Sequence, residues 1–281
     1  MKKIIVKKPS EISLRKTQSL IDVTTKILLR GNGLSAVDES WMERLWAWAD
    51  ENNIADRTLP RNKTKLTQLT ELYLRVNFPP LKELPKEIGQ LTQLTELVLD
   101  GNLLRSLPQV IGQLPQLTKL SLRGYVKVTQ VVIGREMELT KSEELTELPI
   151  EIVQMTQLTK LELGDNDLTE LPKEIGQLTQ LTELVLDGNL LRSLPKEIGL
   201  LTQLTSLNLE LNQLRSLPKE IGQLTQLTSL NLRLNLLTEL PKEIVNLTNL
   251  THLKIDSRIK LSLLQIIWIK KHNIYTLVQR V

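Results

Sequence analysis

The sequence predicts an α/β solenoid, in which short parallel strands form a curved sheet on the concave side and short helical or irregular segments form the convex side. Three observations predict this class. One leucine pattern recurs along the middle of the chain, several of its copies are spaced by 23 residues, and leucine makes up roughly a fifth of the 281 residues. Segments with helical periodicity stand at both ends of the repeated region.

The recurring pattern is Leu-x-x-Leu-x-Leu-x-x-Asn. Its Leu-x-Leu core has the alternation of a short strand, with leucines facing inward and the x residues facing outward. The asparagine stands where the chain leaves the strand, so its amide is expected to bond backbone groups in the turn. Six copies end at Asn77, Asn102, Asn166, Asn189, Asn212 and Asn235, and two weaker copies carry Tyr125 and Arg258 at that position.

The full unit reads Leu-Pro-Lys-Glu-Ile-Gly-Gln-Leu-Thr-Gln-Leu-Thr-Glu-Leu-x-Leu-x-x-Asn-x-Leu. It resembles the leucine-rich repeat family in its 23-residue form, with Leu-Pro-x-x-Ile-x-x-Leu on the convex side. That form is common in bacterial cytosolic proteins, in Ras-group scaffolds and in Roco GTPases. The resemblance covers residues 66–258, about eight units. It implies a protein-binding solenoid, in which each unit buries its apolar face against the next.

A solenoid exposes apolar surface at its two ends, so capping segments are expected there. We assign residues 1–65 to a basic segment and a Trp-rich helical cap, and residues 259–281 to a C-terminal cap, within one structural domain. In the first cap, Trp41, Leu45 and Trp48 share one helical face, which is either a lid on the first unit or an aromatic binding surface. In the second, a short helix with Trp268 precedes an edge strand that starts at Ile274.

The positive charge is concentrated at the two ends of the chain. Residues 1–30 carry +6 and residues 252–281 carry +5, whereas residues 31–251 carry −7. This distribution does not favour a continuous basic groove, so we expect no nucleic acid as a partner. Residues 10–30 fit a basic amphipathic helix, which would bind an anionic membrane or an acidic partner, or would serve as an additional cap.

One segment departs from the repeat. Between Tyr125 and Leu148 the chain is 18 residues longer than in a regular unit, and it lacks the Leu-x-Leu strand. Residues 126–143 are therefore either a binding excursion beside the concave face or a decayed repeat without a role.

The composition excludes several classes of chemistry. Without cysteine there is no disulfide, thiolate metal site or cysteine nucleophile, and the two histidines, His252 and His272, leave little for a metal cluster. The sequence contains no phosphate-binding loop of the Gly-x-x-x-x-Gly-Lys type, no Gly-x-Ser-x-Gly and no His-Glu-x-x-His. We expect neither catalysis, cofactor nor metal.

The start of the chain has too few apolar residues for a signal peptide, and no stretch reaches the length of a membrane span. We therefore expect a cytoplasmic protein, with signal-less secretion into a host as an open alternative, and a monomer.

The alternation in each strand gives the candidate binding residues. The predicted concave set is Tyr73, Arg75, Glu96, Asp100, Lys119, Arg123, Lys160, Glu162, Glu183, Asp187, Asn208, Glu210, Asn231 and Arg233. The predicted rim set is Tyr125, Lys127 and Arg135. Tyr and Arg are the residue types that dominate protein interfaces, which makes Tyr73, Arg75, Arg123 and Arg233 the favoured contacts.

These residues favour a protein-binding module or scaffold that uses the concave face and the adjacent rim. Three alternatives remain at this stage: a secreted bacterial effector that binds a host protein, an adaptor that binds membrane or nucleic acid through its basic ends, and a structural array without a ligand.

Overall fold

The computed structural model describes residues 39–75, 79–124 and 145–279. The chain divides into two compact units, residues 1–43 and 44–281. Of the first unit only residues 39–43 are described, where helix α1 (Ser40–Glu51) begins. The predicted N-terminal helix over residues 10–30 and the segment 126–143 lie outside the described residues.

The second unit is built on an open parallel sheet whose nine described strands follow chain order. The strands are β1 (Glu71–Tyr73), β2 (Glu96–Val98), β3 (Lys119–Ser121), β4 (Lys160–Glu162), β5 (Glu183–Val185), β6 (Ser206–Asn208), β7 (Ser229–Asn231), β8 (His252–Asp256) and β9 (Tyr275–Gln279). Each of the first eight strands comes from one predicted Leu-x-Leu segment, so the predicted solenoid class is confirmed.

The register places equivalent residues of neighbouring repeats side by side, for example Leu161 against Leu184. Strand β3 pairs directly with β4, with Lys119 opposite Lys160, although these residues are 41 positions apart. The strands on either side of the irregular segment are therefore direct neighbours in the sheet.

On the convex side, each of seven described segments forms a short 3₁₀ helix immediately after a proline. These helices are Lys86–Gln90, Gln109–Gln113, Ile150–Gln154, Lys173–Gln177, Lys196–Leu200, Lys219–Gln223 and Lys242–Asn246. The proline fixes φ near the helical range and has no N–H to leave unbonded at the helix start. The isoleucine at the third position of each helix, such as Ile175, is fully buried.

The repeated asparagines hold successive coils together. The Asn212 amide nitrogen donates to the carbonyls of Leu186 and Leu209, at 2.9 and 3.2 Å, and its oxygen accepts the N–H of Leu191 at 3.0 Å. Asn102, Asn166, Asn189 and Asn235 make the same kind of bonds and are likewise buried. This asparagine ladder, formed by Asn102, Asn166, Asn189, Asn212 and Asn235, satisfies backbone groups that the turns would otherwise leave unpaired inside the protein.

Before the sheet, α1 is followed by helix α2 (Lys63–Thr67), whose N-cap residue Asn62 accepts the N–H of Lys65. The indole of Trp46 donates to the Pro60 carbonyl at 2.9 Å, and the guanidinium of Arg61 bonds the carboxylate of Asp50. After β8, helix α3 (Leu263–Lys271) and β9 occupy the predicted places of a C-terminal helix and edge strand.

Candidate functional site

The concave face is defined here as the side-chain surface of the sheet on the side away from the buried leucines. The register arranges it in three rows that run across the strands. The third row lies just beyond the strand ends and contains Arg75, Asp100, Arg123, Gly164, Asp187, Glu210 and Arg233.

Not every outward position is accessible. Asn231, predicted as a contact, is only 8% exposed and donates to Glu210 at 2.9 Å, so a partner cannot reach most of it. Val98, Ser121 and Asp256, which the alternation also places outward, are buried as well. Asp256 lies at the end of the last repeat, and its carboxylate accepts the N–H groups of Leu234 and Asn235.

Arg123 joins three successive repeats. Its guanidinium forms two hydrogen bonds with the Asp187 carboxylate, at 3.1 and 2.9 Å, and a third with Asp165 at 2.6 Å. The Asp187 hydrogen bonds, and with them the Asp165 carboxylate, raise the pKa of Arg123 against the opposing effect of burial. Arg123 was predicted as an interface contact, but its charge is already satisfied within the sheet.

A glycine makes this arrangement possible. Gly164 holds the equivalent position on the intervening strand, and a Cβ atom there would lie 2.5 Å from a guanidinium nitrogen of Arg123. Asp165, which sequence reasoning missed, follows with a positive φ of 56° and completes the arginine's partners. The only sequence signal for this role is the Gly-Asp pair at the end of the strand, where the other repeats carry different residues.

A shallow depression lies on the concave face across β1 to β4. Five predicted contacts line it: Arg75, Glu96, Lys119, Lys160 and Glu162. Within it the ammonium of Lys160 bonds Glu162 at 2.9 Å and Glu183 at 3.2 Å, and Lys119 lies 3.4 Å from Glu96. The hydrogen bond with Glu162 is the main cause that raises the pKa of Lys160, despite partial burial. The depression therefore offers paired charges of both signs.

Tyr73 and Arg75 stand at the β1 side of this depression. Tyr73 is 43% exposed, and the side chain of Arg75 is 58% exposed, with its guanidinium carbon 5.8 Å from the tyrosine ring. The Tyr73 hydroxyl donates to Glu71 at 2.9 Å, which raises the pKa of the phenol. Of the four favoured contacts, these two remain most accessible.

The last third of the face is more closely bonded. Arg233 lies 3.3 Å from the carboxylate of Glu210, and its side chain is largely covered. Asn208 accepts the N–H of Glu210 at 3.2 Å. These predicted contacts are brought together by the structure, but mainly with one another. The rim residues Tyr125, Lys127 and Arg135 lie outside the described residues.

Exposed leucines follow the strands β5 to β7, a feature that the alternation did not reveal. Leu190, Leu211 and Leu236, named the leucine edge below, are all exposed in the turns after these strands. Leu211 also has a positive φ of 56°, at a position where other repeats have Gly101 and Gly188. A large residue in this backbone region is unusual, because its Cβ crowds the following carbonyl.

Among the described residues, no group of three or more His, Asp or Glu side chains is arranged to hold a metal ion. No helix in residues 39–75, 79–124 or 145–279 combines the length and apolar character that a membrane crossing needs.

Comparison with known proteins agrees with this geometry. The sequence model of the leucine rich repeat family matches residues 202–257. The LRR protein LIC12759 of Leptospira interrogans is 37% identical, with a TM-score of 0.56 over 80% of this chain and 59% of that one. The chain is a leucine-rich repeat protein. It spans less than two thirds of the length of the Leptospira protein.

This leucine-rich repeat protein also resembles the LRR ectodomain of the plant membrane receptor kinase GASSHO1/SCHENGEN3 from Arabidopsis thaliana, solved in complex with Casparian strip integrity factor 2. The identity is 29% and the TM-score is 0.49, over 69% of this chain and 25% of that one. No curated protein matches the chain.

Proposed function

We propose that this leucine-rich repeat protein is a binding module or scaffold for a protein partner, which it contacts through the concave face around β1 to β4. The observation that carries this function is the exposed pair Tyr73 and Arg75 beside the depression. Tyrosine and arginine are the residue types most enriched among the energetically dominant contacts of protein interfaces.

The chemistry of the depression supports a protein ligand. Its cations are each close to a carboxylate, as Lys160 is to Glu162 and Lys119 to Glu96. Such a surface recognises a partner through complementary polar groups of both signs, which favours specificity over indiscriminate binding of polyanions. The leucine edge adds apolar surface beside the second half of the face, as protein interfaces combine apolar and polar areas.

The same pairing favours binding over catalysis. Asp165 and Asp187 are held by Arg123, and Glu162 and Glu183 by Lys160. These carboxylates already bind cations of the sheet itself, which leaves them less available for proton transfer to a substrate. We therefore assign no enzymatic role to the concave face.

The compartment and the lineage belong to the same proposal. A chain without cysteine suits a reducing compartment, and the 23-residue unit resembles bacterial cytosolic repeats, so we propose a monomeric protein of the bacterial cytoplasm. A secreted effector that binds a host protein would use the same concave face.

Affinity capture with quantitative mass spectrometry tests this function. The wild-type chain is compared, on lysate of its source organism and on a eukaryotic lysate, with the double variant Tyr73→Ser/Arg75→Glu. The matched control is Lys196→Glu, which makes the same charge change on an exposed convex helix. Arg123 and Arg233 are left intact because their loss would disturb the sheet.

A partner retained by the wild type and by Lys196→Glu, but lost by the double variant, would support the concave site. Partners retained equally by all three proteins would place binding elsewhere. An absence of any partner in both lysates would contradict the scaffold function.

A further inference from the structure

Helix α3 exposes an apolar face at the C-terminal end of the repeats. Leu263, Leu264, Ile266 and Ile267 are all exposed, with Leu264 at 71% and Ile267 at 51%. They occupy one half of the helix surface, which continues into the exposed residues Lys270 and Lys271 in the last turn. The solvent-facing side of a helix normally carries polar residues. Four adjacent aliphatic side chains on that side therefore indicate that this face contacts an apolar partner.

The opposite half of α3 is anchored firmly. Ser262 and Gln265 form a capping box, and the Gln265 amide also donates to the carbonyls of Leu240 and Pro241, each at 3.1 Å. Trp268 is 4% exposed and packs on the same side. The aliphatic residues therefore cannot rotate into the core without the loss of these bonds and of the tryptophan's burial.

The segment that carries this face has charged residues of one sign. Residues 257–281 contain no Asp or Glu and five basic residues, namely Arg258, Lys260, Lys270, Lys271 and Arg280. On the 3₁₀ helix that packs against α3, the carboxylate of Glu243 has the ammonium of Lys242 at 4.0 Å. Asp256 is buried and bonded to backbone N–H groups. The surface that a ligand meets at α3 is thus apolar and cationic.

We propose that α3 docks this protein on a membrane surface rich in anionic lipids, with the four aliphatic side chains among the acyl chains and the lysines at the headgroups. A short apolar ridge with flanking lysines suits a fluid phase, which needs no preformed groove, and it combines the two signals required for stable membrane attachment. A second copy of the chain would bring the same cations with it, which disfavours pairing through this face. The surface is separate from the concave site, so each of the two functions can be tested without the other.

Vesicle co-sedimentation with the full chain tests the docking. Vesicles of phosphatidylcholine alone are compared with vesicles that contain three parts phosphatidylserine to seven of phosphatidylcholine. Binding of the wild type is expected to be about fivefold or more higher on the anionic vesicles. The variant Leu264→Gln/Ile267→Gln is expected to lose about tenfold of that binding, and Lys270→Gln/Lys271→Gln about fivefold.

Leu200→Gln is the matched control, because Leu200 is 53% exposed on a convex 3₁₀ helix away from α3. It should bind like the wild type, and circular dichroism should show all variants folded. Absence of wild-type binding to the anionic vesicles, or equal loss in Leu200→Gln, would overturn the docking. Binding that survives the Leu264→Gln/Ile267→Gln change would also overturn it, as would light scattering that shows a wild-type dimer abolished by that change.

Discussion

The guanidinium of Arg123 forms a two-bonded ion pair with the carboxylate of Asp187, which lies 64 residues later and two strands away in the sheet. The strand between them contributes Gly164, whose missing side chain leaves the space that the guanidinium crosses. The ion pair therefore links β3 to β5 across β4, next to the β3–β4 connection, which is the longest between successive strands. It stabilises the array at its least regular point.

A methyl group at Gly164 should break this link. We expect Gly164→Ala to destabilise the wild type by about 1 kcal/mol more than it destabilises an Arg123→Ala background, because only the wild type has a guanidinium to displace. Urea unfolding of the two single variants and the double variant gives the coupling. Additive effects of the two substitutions would show that Gly164 and Arg123 are not linked.

The asparagine ladder should be far more important to stability than the asparagines of the concave face. Asn212→Ala removes three donated bonds and leaves the buried N–H of Leu191 without its acceptor, so we expect a loss of about 3 kcal/mol in unfolding free energy. Asn208→Ala removes one bond to Glu210 N–H and should cost under about 0.5 kcal/mol. Comparable urea midpoints for the two variants would contradict the structural role of the ladder.

The acid sensitivity of the first repeat should depend on Glu87. Burial acts to raise the pKa of its carboxyl, but the 2.6 Å hydrogen bond from Arg44, a backbone hydrogen bond and the charges of Arg44 and Lys86 together outweigh it, so the pKa is lowered. A lowered pKa in the folded state stabilises the protein above the unfolded value of about 4.5, and the stability is lost as the pH falls through the folded value.

We therefore expect Glu87→Gln to be less stable than the wild type at pH 7, with a gap that narrows between about pH 5 and pH 3. Glu174→Gln is the matched control, because Glu174 lies in an identical sequence but, among the described residues, its ion-pair partner is Lys173 at 4.0 Å. Thermal midpoints over this pH range provide the measurement, and an equal narrowing in both variants would assign the effect to general acid denaturation.

Leu211 in the leucine edge has a strained backbone conformation that glycine would adopt without strain. Since Leu211 has a positive φ and its side chain is exposed, Leu211→Gly should be neutral or stabilising by up to about 1 kcal/mol. Leu190 is exposed in the turn of the preceding repeat, and its φ is not positive. Leu190→Gly should therefore destabilise the protein by about 0.5–1 kcal/mol. Equal losses in both variants, measured by urea unfolding, would show that the left-handed backbone at Leu211 carries no cost.

The fold could be predicted from the sequence because one repeated pattern determines strand, turn and core together. The site could be predicted only in part, since identical sequences acquire different surroundings. Residues 84–108 and 171–195 are identical, yet Glu87 is buried beside Arg44 whereas Glu174 is paired with its neighbour Lys173 in the part of the chain that the structure describes. Asp100 accepts from Ser121 and the Arg123 N–H, whereas its copy Asp187 binds the Arg123 side chain.

Such differences come from neighbouring repeats, which a single unit's pattern does not contain. Arg123 illustrates this limit, because its reach to Asp187 depends on a glycine on the intervening strand. Asp256 was placed outward by the same alternation that correctly exposes Tyr73, but its carboxylate is buried and accepts the backbone N–H groups of Leu234 and Asn235.

Site-specific photocrosslinking tests the concave binding site most directly. A benzoylphenylalanine in place of Tyr73 reports on the face, and the same group in place of the convex residue Lys196 is the control. We expect a discrete crosslinked protein from position 73 in lysate of the source organism, absent at position 196 and abolished when Arg75→Glu is added. No crosslink at position 73, or the same crosslinked protein from both positions, would contradict a partner on the concave face.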